Sequence, residues 1–379
     1  MKRIVSMLLC MMMVVSLTAC GQSADSGEPA SEASGGSGEE SAAESAGAEE
    51  STEETAKEIE EGTELVTGMI AYVFGTQSYS DDVLAGLQQA QDELGIPHYE
   101  LEIADVSETA DGFRTLIQQG ANFVIAASSE YCDGMLEVAA EYPDIYFLYL
   151  AEHLSDAPDN VISFEYRENE AAFLAGALGG MKTQSNKIGA VLALSEPLQI
   201  RYQYGYMAGA KAVNPDCEVM ITFTNSYADT NIGYEHANAM YSQGCDYVGC
   251  YAGACNLGVF QAAEEAGDGN YCFGAANGQF DKSPDKIVAS VVKPINETLV
   301  ALLRGGMETG EFDTSISSMG IKEEGVKLLF TDNAELLGMI SDEEMAAIEE
   351  LTAMIVDGEL KVPGTEEEFN AFDFTYEAK

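Results

Sequence analysis

Aromatic rings beside hydroxyl, amide and carboxylate groups recur in the loops that follow the predicted strands of this sequence. These side chains are Ser78, Tyr79, Ser80, Ser128, Tyr227, Asp229 and Asn277. A ring can stack on a flat ligand while polar groups bind its edge. The chain has no tryptophan, so tyrosine or phenylalanine must supply any stacking. The pattern favours a flat, polar, uncharged ligand, although such residues are also ordinary on a protein surface.

The common catalytic motifs are missing from the sequence. It contains no G-x-S-x-G nucleophile elbow, no G-x-x-x-x-G-K-[ST] phosphate loop and no H-E-x-x-H zinc motif. The three histidines lie in different segments, and the cysteine spacing fits no zinc site. We therefore expect no metal, no cofactor and no enzyme activity. The glycine-rich segment from Gly253 to Gly258 predicts either a tight turn against a neutral ligand or simple packing.

Strand and helix patterns alternate along most of the chain. A continuous apolar run from Leu65 to Phe74 predicts a buried strand, and apolar residues at helical spacing from Val83 to Leu94 predict the helix after it. The alternation continues to residue 150, and a second series runs from 187 to 275. This pattern predicts parallel sheets with helices on both faces. The expected fold class is therefore α/β, with two doubly wound lobes.

The order of these elements divides the folded part, residues 63–379, between the two lobes. Residues 63–184 are expected to form most of the first lobe and residues 185–285 most of the second. The remaining elements are too few for a third domain, so segment 286–379 is expected to return and complete both lobes. A chain that crosses back between lobes forms a hinge, and a cleft between lobes is where ligands bind.

The N-terminal segment has the features of an export signal. Lys2 and Arg3 precede an apolar stretch, Ile4 to Leu17, that is short for a membrane-spanning helix. The sequence L-T-A-C that ends at Cys20 resembles the lipobox of bacterial lipoproteins, in which the cysteine is acylated. Residues 1–20 are thus expected to be a lipoprotein signal with Cys20 as the lipidation site. An ordinary cleaved signal is the alternative.

Composition narrows the range of partners. Residues 21–62 are dominated by Ser, Ala, Gly and Glu, which predicts a disordered acidic linker. The chain has a formal net charge of −48 and should repel nucleic acid and anionic lipid. We therefore expect no nucleic-acid partner. Six cysteines follow Cys20, an even number that leaves disulfide pairing open.

Five stretches of the sequence resemble the basic membrane protein family, the lipoprotein receptors of bacterial ABC importers for purine nucleosides or related purines. They are 160–176 (NVISFEYRENEAAFLAG), 205–215 (GYMAGAKAVNP), 225–229 (NSYAD), 243–246 (QGCD) and 287–293 (IVASVVK). The similarity runs over most of the chain from 65 to 305. It implies the type I periplasmic-binding-protein fold, which agrees with the two-lobed pattern.

The resemblance also implies roles for single residues. Its ligand contacts would be Tyr79, Tyr202, Tyr206, Tyr227, Asp229 and Lys293. Tyr79 would stack on the base and Lys293 would lie beside the sugar. One of Tyr202 and Tyr206 is expected to face the cleft, and the other the core.

Three positions depart from the family pattern. Thr76, Ala151 and Ala276 stand where relatives carry acids that read the base or hold the ribose. Their loss should change the ligand or be compensated locally, with Asn277 as one candidate. The expected function is a monomeric, lipid-anchored receptor on the outer face of the cell membrane that delivers a purine nucleoside or purine base to an ABC permease. The alternative is a receptor of the same fold for a sugar or signalling compound, in transport or sensing.

Overall fold

The computed structural model of the chain describes residues 64–72, 74–75 and 79–377. The predicted signal with Cys20, the acidic linker, and the loop residues Thr76 and Ser78 lie outside these residues. Within the described part, none of the helices has both the length and the apolar character needed to cross a membrane.

Strands and helices alternate along the described chain. The strands are β1 (Thr67–Ala71), β2 (His98–Glu102), β3 (Phe123–Ala126), β4 (Tyr146–Tyr149), β5 (Val161–Ser163), β6 (Glu165–Tyr166), β7 (Lys187–Leu192), β8 (Glu218–Phe223), β9 (Tyr247–Tyr251), β10 (Tyr271–Gly274), β11 (Ile287–Val292), β12 (Ser318–Met319) and β13 (Lys327–Phe330). The helices are α1 (Tyr79–Leu94), α2 (Thr109–Gln119), α3 (Cys132–Glu141), α4 (Glu168–Lys182), α5 (Pro197–Val213), α6 (Thr230–Ser242), α7 (Asn256–Ala266), α8 (Ile295–Thr309), α9 (Ala334–Leu337), α10 (Asp342–Val356) and α11 (Glu366–Ala371).

Most of the strands form two open sheets. The first has the order β2-β1-β3-β4-β5, and all its neighbours are parallel. The second has the order β13-β11-β10-β9-β7-β8, and only the edge strand β13 is antiparallel to its neighbour. Strands β1, β3, β9 and β11 are buried along their whole length, as expected when helices cover both faces. This confirms the predicted α/β class with two doubly wound lobes.

The chain crosses between the two sheets through short segments. After β5, strand β6 pairs in parallel with β12 in a separate two-stranded ribbon. After β11, Lys293 and Pro294 lead into α8, which packs against α1 of the first lobe. Strand β12 then leads from α8 to β13 in the second sheet. These crossings place Lys293 and the ends of β6 between the lobes.

The boundary between the lobes lies earlier than the sequence pattern suggests. The expected first lobe, 63–184, includes α4, but this helix packs against α5, β11 and β13 of the second lobe. Because α4 is Ala/Gly-rich and buried on nearly every side, its sequence has no polar face to show which sheet it covers. Segment 286–379 supplies α8 to the first lobe, and β13 and α10 to the second.

Helices α4 and α5 cross in close contact because glycines line their interface. A Cβ atom added at Gly176 would lie 2.0 Å from the carbonyl oxygen of Tyr206. A Cβ atom added at Gly209 would lie 1.9 Å from the carbonyl oxygen of Phe173. No larger side chain fits at this separation, so the crossing fixes the start of α4, with Glu168, against the second lobe.

Gly176→Ala is expected to lower the free energy of unfolding by ~1–3 kcal/mol, because the added methyl group forces the two helices apart. Gly305→Ala in α8 is the matched control, since a Cβ atom there has nothing within 4 Å. That change should be neutral or stabilise the helix by roughly 0.5–1 kcal/mol. Urea unfolding of both variants measures the difference, and equal midpoints would contradict the close crossing.

The six cysteines from Cys132 to Cys272 are free thiols. All but Cys132 are buried. Burial is the main cause that raises the pKa of Cys217 to about 11 and that of Cys245 to about 12. The five buried thiols therefore act as small apolar residues of the second lobe. The disulfides that the sequence left open are not formed.

Candidate functional site

Lys293 lies at the centre of a polar cluster between the lobes. It directly follows β11, and only 7% of its surface is exposed. Its Nζ lies 3.2 Å from Oε1 of Glu168 and 4.5 Å from the ring centroid of Tyr79. The ring of Tyr166, on the crossing strand β6, is 5.4 Å away. A carboxylate and two aromatic faces thus surround this cation.

Glu168 joins Lys293 to a second buried cation. Glu168 is the first residue of α4 and is fully buried. Its Oε2 accepts a hydrogen bond of 2.8 Å from Nε of Arg201, and Nη1 of Arg201 lies 3.0 Å from Oε2 of Glu165. The network contains two cations and two carboxylates, so its formal charges cancel. Because α4, α5, β6 and the end of β11 each contribute one member, the network holds the crossing segments together.

Tyr79 provides an aromatic surface on the first-lobe side. It is the first residue of α1, and its hydroxyl donates a hydrogen bond of 2.9 Å to the carbonyl oxygen of Leu150. Burial, with smaller contributions from Tyr166 and Glu168, raises the pKa of the Tyr79 hydroxyl well above its usual value. The ring therefore stays neutral and fixed in place, as stacking on a ligand requires.

Asp82, one turn further along α1, is a polar residue of the cleft that the sequence reasoning missed. Asn277, in the loop after β10, lies close enough to this carboxylate to lower its pKa. Its Oδ2 is buried and has no hydrogen-bond partner among the described residues. Burial raises the pKa of Asp82 to about 6, and Asp81 adds to this, while Lys293 and Asn277 oppose it.

Glu196, at the start of α5, is the second residue that was missed. It accepts hydrogen bonds from the hydroxyl of Tyr227 and, at 3.5 Å, from Oγ of Ser129 in the first lobe. Nε2 of Gln199 donates to the same Tyr227 hydroxyl at 3.4 Å. Tyr227 itself is 38% exposed. The structure therefore places Tyr227 at the rim of the cleft, where Glu196 connects it to the first lobe.

Tyr202 and Tyr206 of α5 have different surroundings. Tyr202 stacks on Tyr251 with ring centroids 4.5 Å apart, and Glu168 contributes to the raised pKa of Tyr202 after burial. Tyr206 is fully buried and packs edge-on against Tyr251 and Phe273. Tyr202 thus adjoins the polar cluster. Tyr206 is a core residue, which corrects its assignment as a ligand contact.

The remaining predicted residues have local structural roles. The carboxylate of Asp229 caps α6 by accepting hydrogen bonds from the backbone N–H groups of Asn231 and Ile232. Oγ of Ser128 caps the short turn that follows β3. Gly253 has a φ of +62°, and a Cβ atom there would lie 2.8 Å from the carbonyl oxygen of Tyr227. Its neighbour in the structure is thus the Tyr227 loop. Ser80 is half-buried in the first turn of α1.

Two open grooves of about 540 Å³ each lie near the crossing segments. One is lined by residues 165, 167, 196 and 201 and by the C-terminal segment 362–368. The other lies along α8. Tyr79, Asp82 and Lys293 line neither groove. In the described part of the chain, no group of His, Cys, Asp and Glu side chains could hold a metal ion.

Comparisons with known proteins agree with this architecture. The Bmp family model, described as ABC transporter substrate-binding protein PnrA-like, matches residues 65–366. Basic membrane protein B of Borreliella burgdorferi is 31% identical over 260 residues, which cover 68% of this chain and 74% of that protein. The CD4+ T-cell-stimulating antigen of Listeria monocytogenes is 27% identical over 303 residues, which cover 76% of this chain and 84% of that protein.

A solved structure shares the fold. An ABC transporter system solute-binding protein from Aeropyrum pernix K1 superposes with a TM-score of 0.70 at 21% identity, covering 81% of this chain and 96% of that one. The resemblance seen in the sequence is confirmed by the family model and by the relatives. The chain belongs to the Bmp family of PnrA-like ABC transporter substrate-binding proteins.

Proposed function

We propose that this substrate-binding protein holds a purine nucleoside or purine base between its lobes and delivers it to an ABC permease. The observation that carries the proposal is the position of the Tyr79 ring, which lies between the lobes beside the Lys293–Glu168 pair. A purine offers a flat face for the ring and several edge groups for hydrogen bonds. Asp82 supplies a hydrogen-bonding group near that ring, and Asn277 lies beside Asp82.

Delivery depends on opening and closing of the lobes about the crossing segments. Strands β6 and β12 and the Lys293–Pro294 segment connect the lobes without a broad shared sheet. A ligand shifts such an equilibrium only by binding the closed state better than the open one. Contacts from both lobes, Tyr79 from the first and Lys293 and Asn277 from the second, give the ligand that preference.

A sugar or a signalling compound is the second candidate ligand. It is favoured by Ala151 and Ala276, which lack the acids expected in nucleoside receptors. Both residues are alanine, so neither position supplies a carboxylate. Tyrosine rings, a lysine and carboxylates would equally suit a polyol. The role could then be sensing rather than transport.

Anchoring through Cys20 completes the proposal. An acylated cysteine followed by the acidic linker would hold a monomeric receptor on the outer face of the membrane while leaving its lobes free to reach the permease. Incorporation of labelled palmitate into the wild type but not into Cys20→Ser tests the anchor, and gel filtration tests the monomer.

A thermal-shift screen of the protein against purine nucleosides, purine bases, pyrimidines and common sugars tests the ligand class. A ligand at 100 times its dissociation constant should stabilise the closed fold by ~2.7 kcal/mol and raise the melting temperature. We expect shifts with inosine or hypoxanthine and none with sugars. Shifts with sugars alone would assign the second candidate instead.

A further inference from the structure

We propose that Asp82 is a ligand-binding residue of this chain, whose carboxylate accepts a hydrogen bond from an N–H or O–H group of the ligand when the lobes close. The inference rests on the proposed function and narrows it. The ligand must be neutral or cationic and must present a hydrogen-bond donor to α1, next to the ring of Tyr79.

The first support is the position of the carboxylate. Asp82 follows Tyr79 by three residues in α1, so both side chains lie on the same face of the helix. The Asp82 carboxylate lies close enough to Lys293 and Asn277, both of the second lobe, for its pKa to be lowered by them. It therefore sits where the two lobes meet.

The second support is the second oxygen of the Asp82 carboxylate, Oδ2. Oδ2 of Asp82 is buried without a partner among the described residues. A buried acceptor without a hydrogen bond destabilises the state that contains it, and a charged acceptor does so more strongly. Closure of empty lobes is disfavoured for this reason. A ligand that donates to Oδ2 removes the penalty and makes closure depend on the ligand.

The third support is the charge balance around the carboxylate. Lys293 faces Asp82 but is paired with Glu168 at 3.2 Å, and Glu168 is shared with Arg201. The neighbouring Asp81 adds a further negative charge on the same helix. The charge of Asp82 is thus not neutralised by the protein. A phosphorylated ligand would be repelled here, whereas a neutral ligand with an N–H or O–H group would be bound.

The sequence pattern gives Asp82 an ordinary interpretation, which the structure replaces. An acid in the first turn of a helix commonly stabilises the helix dipole and faces solvent. Asp81 binds the loop before the helix, since its Oδ1 accepts a hydrogen bond of 2.7 Å from the backbone N–H of Gly75. Asp82 points instead toward Asn277 and Lys293.

Calorimetric titration of the full chain with inosine and with inosine 5′-monophosphate tests the inference. Asp82→Asn keeps the size of the side chain and should weaken inosine binding about 10- to 100-fold at pH 7.5, the effect of losing one hydrogen bond to a charged group. Asp92→Asn, an exposed change on the same helix, is the control and should bind inosine like the wild type. The monophosphate should not bind the wild type.

The pH dependence separates a ligand contact from a structural role. The ionised carboxylate is the acceptor, so wild-type affinity should rise as the pH increases through about 6, where Asp82 loses its proton. Tyr79, Asp81 and Lys293 are the other titratable groups close to it, and burial raises the pKa of Tyr79 so far that its hydroxyl stays protonated over this interval. Affinity of Asp82→Asn should be flat from pH 5 to 7.5.

The outcomes distinguish the two proposals. If the wild type binds inosine and Asp82→Asn binds it equally well, the role of Asp82 is overturned while the purine assignment stands. Tight binding of the monophosphate would also overturn it. If the wild type binds no inosine, the purine assignment fails. The proposed hydrogen bond from the ligand to Asp82 then fails with it.

Discussion

Glu168→Gln is expected to lower the free energy of unfolding by ~3–5 kcal/mol, the usual effect of removing one partner from a buried ion pair. The amide keeps the volume of the side chain but leaves Lys293 and Arg201, 7% and 8% exposed, without the carboxylate that they share. Because Glu168 joins the start of α4 to the end of β11, the loss should also loosen the crossing segments. Urea unfolding measures the change.

Glu323→Gln is the matched control for this prediction. Glu323 also pairs with an arginine, Arg167, but its side chain is 39% exposed. An exposed pair contributes little, so this variant should lie within ~1 kcal/mol of the wild type. If the two variants lost stability equally, the cluster around Lys293 would not be the rigid centre that the structure indicates.

Tyr79→Ala is expected to weaken binding of a purine ligand by ~1–3 kcal/mol, the scale of one base–aromatic stack. The ring lies at the cleft with Lys293 beside it, and its removal leaves no aromatic surface from α1. Tyr79→Phe separates the ring from the hydroxyl. It keeps the stacking surface and loses only the hydrogen bond to Leu150, so it should retain nearly full affinity.

Titration calorimetry of both variants with inosine makes the comparison. Unchanged binding by Tyr79→Ala would remove the α1 face from the ligand site. Equal losses in the two variants would show instead that the hydroxyl, by fixing the loop at Leu150, matters more than the ring. Either result would require another residue, such as Tyr227, to contact the base.

Periodicity in the sequence was sufficient to predict the sheet architecture. Buried strands such as β1 and β11 are continuous apolar runs, and their helices carry polar faces, so both kinds of element are visible without tertiary contacts. The start of α10 is also visible in the sequence, because Ser341 and Glu344 have the spacing of a capping box, and both of its reciprocal hydrogen bonds are present. Helix α4 was assigned to the wrong lobe because its burial depends on glycine contacts with α5.

Side-chain direction could not be predicted in the same way. Tyr202 and Tyr206 are four residues apart and share one face of α5, so their spacing does not decide which one reaches the cleft. Helix α4 determines which tyrosine is buried in the core, because Gly176 and Gly179 leave room beside Tyr206. Asp82 and Glu196 were missed because acids are common at helix starts. Only the facing lobe shows that Asp82 lies near Lys293 and Asn277 and that Glu196 accepts a hydrogen bond from Ser129.

A crystal structure of the protein with inosine tests the central claim most directly. We predict the base against the ring of Tyr79, a hydrogen bond from inosine to the carboxylate of Asp82, and Lys293 still paired with Glu168. Inosine bound only in the groove lined by residues 165–167 and 362–368, or an empty cleft at saturating inosine, would contradict the account.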